Sequence, residues 1–303
     1  MVTVGSSDVA AILGLSPWAG PWDAWSRLTG LEPRYTDTDT AAQARGRMFE
    51  PAILARYSVE HRVAIVPGPP IGHAPVIGPE PWMHARPDAW AGLPAEPPDR
   101  VVEAKTARKL DAAEWGPPGT DEVPPWYAVQ CVWLLAVTGL DRCDLAAFSA
   151  MDDDWRVYTL RRDEVVERAV VGRVRAWRER HVLGGEPPDA DGSAACRRAM
   201  ERRWKAERAT HEATVEDTAL VRRALELREA VKTAEAELDA TVARLQERMG
   251  PADELVVGGE CVATWRARKG STRIDLDRLR RELPDVAEKY TVTGTPGRTW
   301  RWT

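Results

Sequence analysis

The chain has 303 residues, of which 44% are hydrophobic and 29% charged, with a formal net charge of −5. Such a composition supports a sizeable core and excludes disordered, collagen-like and generally basic proteins, so any nucleic-acid contact must come from a local cationic patch or a lined channel. No apolar run is long enough to span a bilayer, and no charged segment followed by an apolar stretch marks a secretory signal, so the chain reads as cytoplasmic. The four cysteines, Cys131, Cys143, Cys196 and Cys261, lie far apart with no C-x-x-C pair. This disfavours a zinc ribbon and fits free thiols in a reducing compartment.

Residues 4–14 predict a helix opened by Ser or Asp and stopped by Gly14. Ser6 and Ser7 sit at its N-terminus, where free backbone N–H groups also suit a phosphate. Pro21 to Thr29 predicts a second helix. Trp18, Trp22 and Trp25 are spaced like a packing face and read as core. Thr40 to His61 predicts a third helix, kinked or restarted at Pro51. Within it lie Arg45, Gly46, Arg47 and Glu50, and Glu50 by itself reads as a surface glutamate. Val63 to Val66 reads as a strand, followed by a proline-rich loop.

Met83 to Thr106 is the stretch that carries chemistry. Val101 to Thr106 is β-branched and reads as a strand, with Glu103 and Lys105 two apart on one face. The loop from Gly92 to Asp99 holds one Gly and three Pro and returns the chain as a hairpin. That pairing sets Asp88 beside Glu103 at neighbouring strand ends. Two carboxylates with a lysine suit a divalent cation that activates water against a phosphodiester, because carboxylate oxygens hold a hard metal and the lysine steadies water or phosphate. Alone, Glu-x-Lys is more often a solvated strand face.

Trp126 to Val137 predicts an apolar helix ended by Gly139. Gln130 is its strongly polar interior residue, so it belongs to a structural network or faces a site. Leu145 to Phe148 and Val157 to Leu160 predict antiparallel strands, and Asp163 to Leu183 a helix. The order of elements is that of an α/β fold with a mixed sheet. Residues 187–193 read as a linker. Between Ala194 and Met249 there is no Gly or Pro, and Leu220, Ala224, Leu227, Val231, Ala234, Leu238, Thr241 and Leu245 form a heptad seam. Its expected place is against another helix or a partner subunit. A hairpin around Gly258-Gly259, a short helix at 275–283 and a Trp300-Arg301-Trp302 tail complete the chain. Arg-rich runs at 156–180, 197–208 and 266–281 are candidate DNA contacts, though such runs are usually solvated faces.

Five blocks in order carry a family resemblance: Gly5 to Trp18, Arg45-Gly46 with Glu50-Pro51, Pro87-Asp88, Glu103-Ala104-Lys105, and Tyr127 with Gln130. Over residues 4–185 the sequence resembles the YqaJ-like viral recombinases, phage alkaline exonucleases with a PD-(D/E)XK nuclease core. The resemblance implies a mixed central sheet flanked by helices, with a coiled-coil-like helical C-terminal extension. With the linker and seam read above, the chain divides into a nuclease domain at 1–186, a helical segment at 187–250 and a small α+β region at 251–303. The resemblance implies Asp88, Glu103, Lys105 and Gln130 as catalytic residues and Glu50, Asp88 and Glu103 as ligands of Mg²⁺ or Mn²⁺. Duplex DNA is the implied substrate, degraded from a 5′ end in phage-type homologous recombination within a bacterial host cytoplasm. A single-strand annealing protein is the implied partner, and a homo-oligomer, ring-type in some relatives, the implied assembly. Four residues precede Gly5, fewer than in lambda-type enzymes, so Arg45, Arg47 or Arg86 is expected to help Ser6 and Ser7 hold phosphate. The alternatives are a nicking or structure-specific endonuclease on the same fold and a DNA-binding scaffold without catalysis.

Overall fold

The computed structural model describes residues 2–31, 40–70, 72–149, 151–204, 210–267 and 275–291. The chain forms two compact units, Met1–Lys205 and Ala206–Thr303. In the first, a five-stranded mixed sheet has the order β1 (Ala64–Pro67), β4 (Ala89–Gly92), β5 (Arg100–Ala107), β6 (Arg142–Ser149), β7 (Asp154–Arg161). Every pair is antiparallel except β5–β6, which is parallel and joined through the helix α4 (Pro125–Thr138). A parallel pair needs such a crossover, and α4 is apolar enough to be buried on the sheet. A separate two-stranded ribbon pairs β2 (Val76–Ile77) with β3 (His84–Ala85).

The alternation of β5 divides the core. Val101 packs in the cluster beneath α1 (Ser6–Ile12), α2 (Pro21–Leu28), α4 and α5 (Glu164–Trp177), whereas Val102 packs in the cluster beneath α3 (Ala41–His61). By that alternation Glu103 and Lys105 face α4. Glycine ends α4 as expected, since Gly139 takes a left-handed φ of 73° that a Cβ would strain.

Several expectations are corrected. The cap of α1 is Gly5, with Asp8 Oδ2 accepting from Gly5 N at 3.1 Å, so both serines lie inside the first turn. Helix α3 runs unbroken through Pro51. Helix α5 passes into a π-helical stretch, Arg178–Leu183, in which Arg178 donates to the Val2 carbonyl. Trp22 and Trp25 are buried, but Trp18 is 70% exposed. The first unit runs past residue 186, because α6 (Ala194–Arg203) packs Cys196 and Ala199 on Trp22 and Trp25.

In the second unit, α7 (Val215–Met249) holds no buried residue, and Leu220, Leu227, Val231, Leu238 and Leu245 are all exposed within the chain. Among the described residues, nothing of the second unit covers the seam. A hairpin of β8 (Glu254–Val257) and β9 (Glu260–Thr264) follows, then α8 (Leu276–Glu282) and α9 (Pro284–Lys289). The 300–302 tail and parts of the Arg-rich runs at 197–208 and 266–281 lie outside the described residues. In the run at 156–180, Arg156, Arg162, Arg168, Arg175 and Arg180 pair with acids of this chain.

Candidate functional site

Asp88 immediately precedes β4, where the ladder between β4 and β5 stops at Ala89 opposite Val102. One step beyond, the Asp88 carboxylate replaces backbone pairing: its Oδ2 accepts from Ala104 N at 2.8 Å. This holds Asp88 beside Glu103. Gly68 makes the arrangement possible, donating from its N–H to the Asp88 carbonyl at 2.9 Å. A Cβ on Gly68 would fall 1.7 Å from the Pro87 carbonyl oxygen, so no other residue fits without moving the Pro87–Asp88 backbone. No feature of the sequence alone marks Gly68 for this role.

Glu103 is 2% exposed. Its Oε1 accepts from Lys105 Nζ at 2.6 Å and from Gln130 Nε2 at 2.5 Å. Gln130 thus faces the carboxylate from α4. Glu103 Oε2 is buried and has no hydrogen-bond partner among the described residues. An orphaned carboxylate oxygen beside two held ones is costly unless a cation or donor completes it. Lys105 also lies over the Tyr127 ring, 5.4 Å from its centroid.

Glu50 reaches the same place from α3. It lines a cavity of about 940 Å³ together with Asp88, Glu103, Gln130, Arg47 and Arg86. Ser6 and Ser7 line it from the start of α1. Arg86 donates to the His73 carbonyl at 2.5 Å, while its buried Nε has no partner among the described residues. Arg45 is exposed and is not among the lining residues; Arg47 is. The reason is helical geometry. Arg47 and Glu50 are three apart and share a face, whereas Arg45 is about 140° away from Glu50 around the axis.

The acids perturb one another. Burial and then the Glu103 charge raise the Asp88 carboxyl well above its usual range, against the opposing pull of Lys105. Burial and then Glu103 also raise Glu50, while Lys105 and Arg47 pull it down. Burial works against the charged form of Lys105, but Glu103 and Asp88 outweigh it and hold the ammonium above its ordinary value. Lys105 is therefore a fixed cation at neutral pH, not a proton acceptor.

This donor set suits a hard divalent cation. Every candidate ligand is a carboxylate oxygen, one of them is orphaned, and the acids repel in a way that an ion would relieve. Among the described residues no three His, Cys, Asp or Glu are already gathered as a metal group. Much of any shell would thus fall to water and phosphate oxygens, as is common for Mg²⁺.

Residues 2–141 match the model of the YqaJ-like viral recombinase domain. The chain is also 25% identical over 294 residues to the uncharacterized protein YqaJ of Bacillus subtilis (strain 168), covering 94% of this chain and 86% of that protein. Among solved structures it is similar to the alkaline exonuclease LHK-Exo of Laribacter hongkongensis, at 21% identity and a TM-score of 0.48, covering 60% of this chain and 89% of that one. It is similar too to a phage-related exonuclease of Haemophilus somnus 129PT, at 13% identity and a TM-score of 0.42, covering 60% of this chain and 96% of that one.

Proposed function

We propose that the chain is a divalent-metal-dependent deoxyribonuclease that degrades linear duplex DNA from a 5′ end during phage-type homologous recombination. The observation that carries the reading is Glu103. It is buried, clamped on one oxygen by Lys105 and Gln130, and orphaned on the other beside Asp88 at the wall of a cavity large enough for a strand. A core that only needed packing would not leave such a group.

In this reading Asp88, Glu103 and Glu50 hold Mg²⁺ or Mn²⁺. When bound, the ion lowers the pKa of a coordinated water and offsets charge on the phosphate. Lys105 and Gln130 fix the Glu103 carboxylate, and the Lys105 charge adds to the stabilisation of a phosphorane-like transition state. Ser6, Ser7, Arg47 and Arg86 bind the phosphates that enter the cavity. Water attacks phosphorus directly, so no residue is covalently modified.

A single-strand annealing protein is the expected partner, and self-association is expected through the exposed seam of α7. The rival is a nicking or structure-specific endonuclease; a catalytically silent DNA-binding scaffold is disfavoured by the complete set of acids and lysine. Covalently closed circular duplex separates the enzymes. The exonuclease reading expects linear duplex to be consumed and closed circles to stay intact in the same reaction. Nicking of the circles at a comparable rate would overturn it in favour of the endonuclease.

A further inference from the structure

Trp18 is 70% exposed, although tryptophan is costly to leave in water. It stands at the outer end of a continuous aromatic column. Tyr158 and Trp115 form the buried base, with ring centroids 5.4 Å apart. Trp115 packs on Tyr127 at 5.6 Å. Tyr127 packs on Trp126 at 5.8 Å and on Trp18 at 6.3 Å, and Trp18 meets Trp126 edge-on at 5.6 Å. The column thus holds an exposed indole rigidly from below, which a merely solvated side chain would not need.

The inner part of the column touches the site. Lys105 Nζ is 5.4 Å from the Tyr127 centroid, and Tyr127 is one helical turn from Gln130 on the same face of α4. Through the shared Tyr127 ring, the Trp18 centroid can lie no more than about 12 Å from the Lys105 ammonium. Arg108 and Lys109 are exposed just past the end of β5 and add positive charge to that end of the strand.

We infer that Trp18 is a stacking platform for an unpaired nucleobase of the strand that passes Lys105. The ligand class follows from the chemistry: a flat π face supported edge-on suits any base without sequence preference. The inference rests on the nuclease reading for its place in the reaction. Base binding itself does not require hydrolysis, so the two can fail separately.

The test uses the full chain in chelator and a single-stranded oligonucleotide carrying 2-aminopurine, whose emission falls when it stacks on an indole. Wild type should quench the probe, and Trp18→Ala should lose the quenching and weaken binding roughly 5- to 150-fold, the range seen when a stacking aromatic is removed. Trp18→Tyr should retain most of the affinity, and an abasic strand should bind wild type and Trp18→Ala alike. Binding by Trp18→Ala within about twofold of wild type, or an equal loss on base-bearing and abasic strands, would overturn the inference. So would a change in molecular mass of Trp18→Ala without any change in binding, which would make the surface a protein contact. Loss of hydrolysis is read in a parallel digestion with Mg²⁺: quenching without any cleavage by wild type would keep the platform and sink the nuclease.

Discussion

Removing the Lys105 ammonium should reveal how strained the acidic cluster is. Lys105 Nζ lies 2.6 Å from Glu103 Oε1, and the side chains are 19% and 3% exposed. After Lys105→Ala, Glu103 keeps one neutral donor, Gln130, and faces Asp88 with no neutralising charge beside it. Breaking a buried pair by removing one partner costs about 3–5 kcal/mol. For a unit of this size that lowers the melting temperature by roughly 6–20 °C. The assay is scanning calorimetry of the full chain in chelator at one fixed, mildly alkaline pH. The double variant Lys105→Met with Glu103→Gln should regain most of the loss, because no unpaired buried charge remains. Adding Mn²⁺ should rescue the single variant more than the double. If Lys105→Ala melts within about 2 °C of wild type in chelator, the pair contributes under 1 kcal/mol and the reasoning fails.

Glu50→Gln should raise the Mg²⁺ concentration needed for half-maximal hydrolysis by roughly an order of magnitude, with DNA binding kept, since a charged ligand becomes a neutral one; an unchanged metal titration removes Glu50 from the site. The pH dependence follows from Asp88 and Glu50, whose carboxyls are raised by burial and by Glu103. A protonated carboxyl cannot ligate, so metal affinity should be weak on the acid side and grow as pH rises through the raised values. A half-saturating metal concentration that does not fall as pH rises from the acid side would contradict this. For α7, Leu220 can layer on Leu245, Leu227 on Leu238 and Val231 on Ala234 of an antiparallel second copy, with Arg228 beside Glu235, whereas a parallel pair would set Arg223 against Arg228. Leu220→Cys with Leu245→Cys should therefore cross-link between chains, and Leu227→Asp should reduce the mass in sedimentation; a variant of unchanged mass would show the seam to be solvated.

Much of the site could be read from the chain because strand periodicity is strict. Two residues on β5 fix which way Glu103 and Lys105 point, and the Pro-rich loop from Gly92 to Asp99 fixes the hairpin that brings Asp88 to them. Glu50 was different. Helix α3 buries only Ile53, Leu54 and Tyr57, so its first half has no apolar stripe to orient the acid, and the family pattern alone suggested it. The same weak patterning left Arg45 and Arg47 undistinguished. Trp18 was misread because its spacing to Trp22 and Trp25 counts helically across a break. Gly20 caps α2 and Pro21 begins it, so Trp18 lies in the loop before the helix and the period does not reach it. Gly68 could not be found at all, since its constraint is a backbone approach between segments nineteen residues apart, Gly68 and Pro87. The break between α6 and α7 also escaped notice, because nothing between Ala194 and Met249 is a Gly or Pro.

The central claim is that Asp88 and Glu103 hold a divalent ion for cutting DNA, and the release of nucleotides from an end-labelled linear duplex tests it most directly. Wild type should release label with Mg²⁺ or Mn²⁺ and none in chelator, and Glu103→Gln, folded by calorimetry, should be slower by roughly two to four orders of magnitude. Release by wild type in chelator, or a Glu103→Gln rate equal to wild type, would contradict the account.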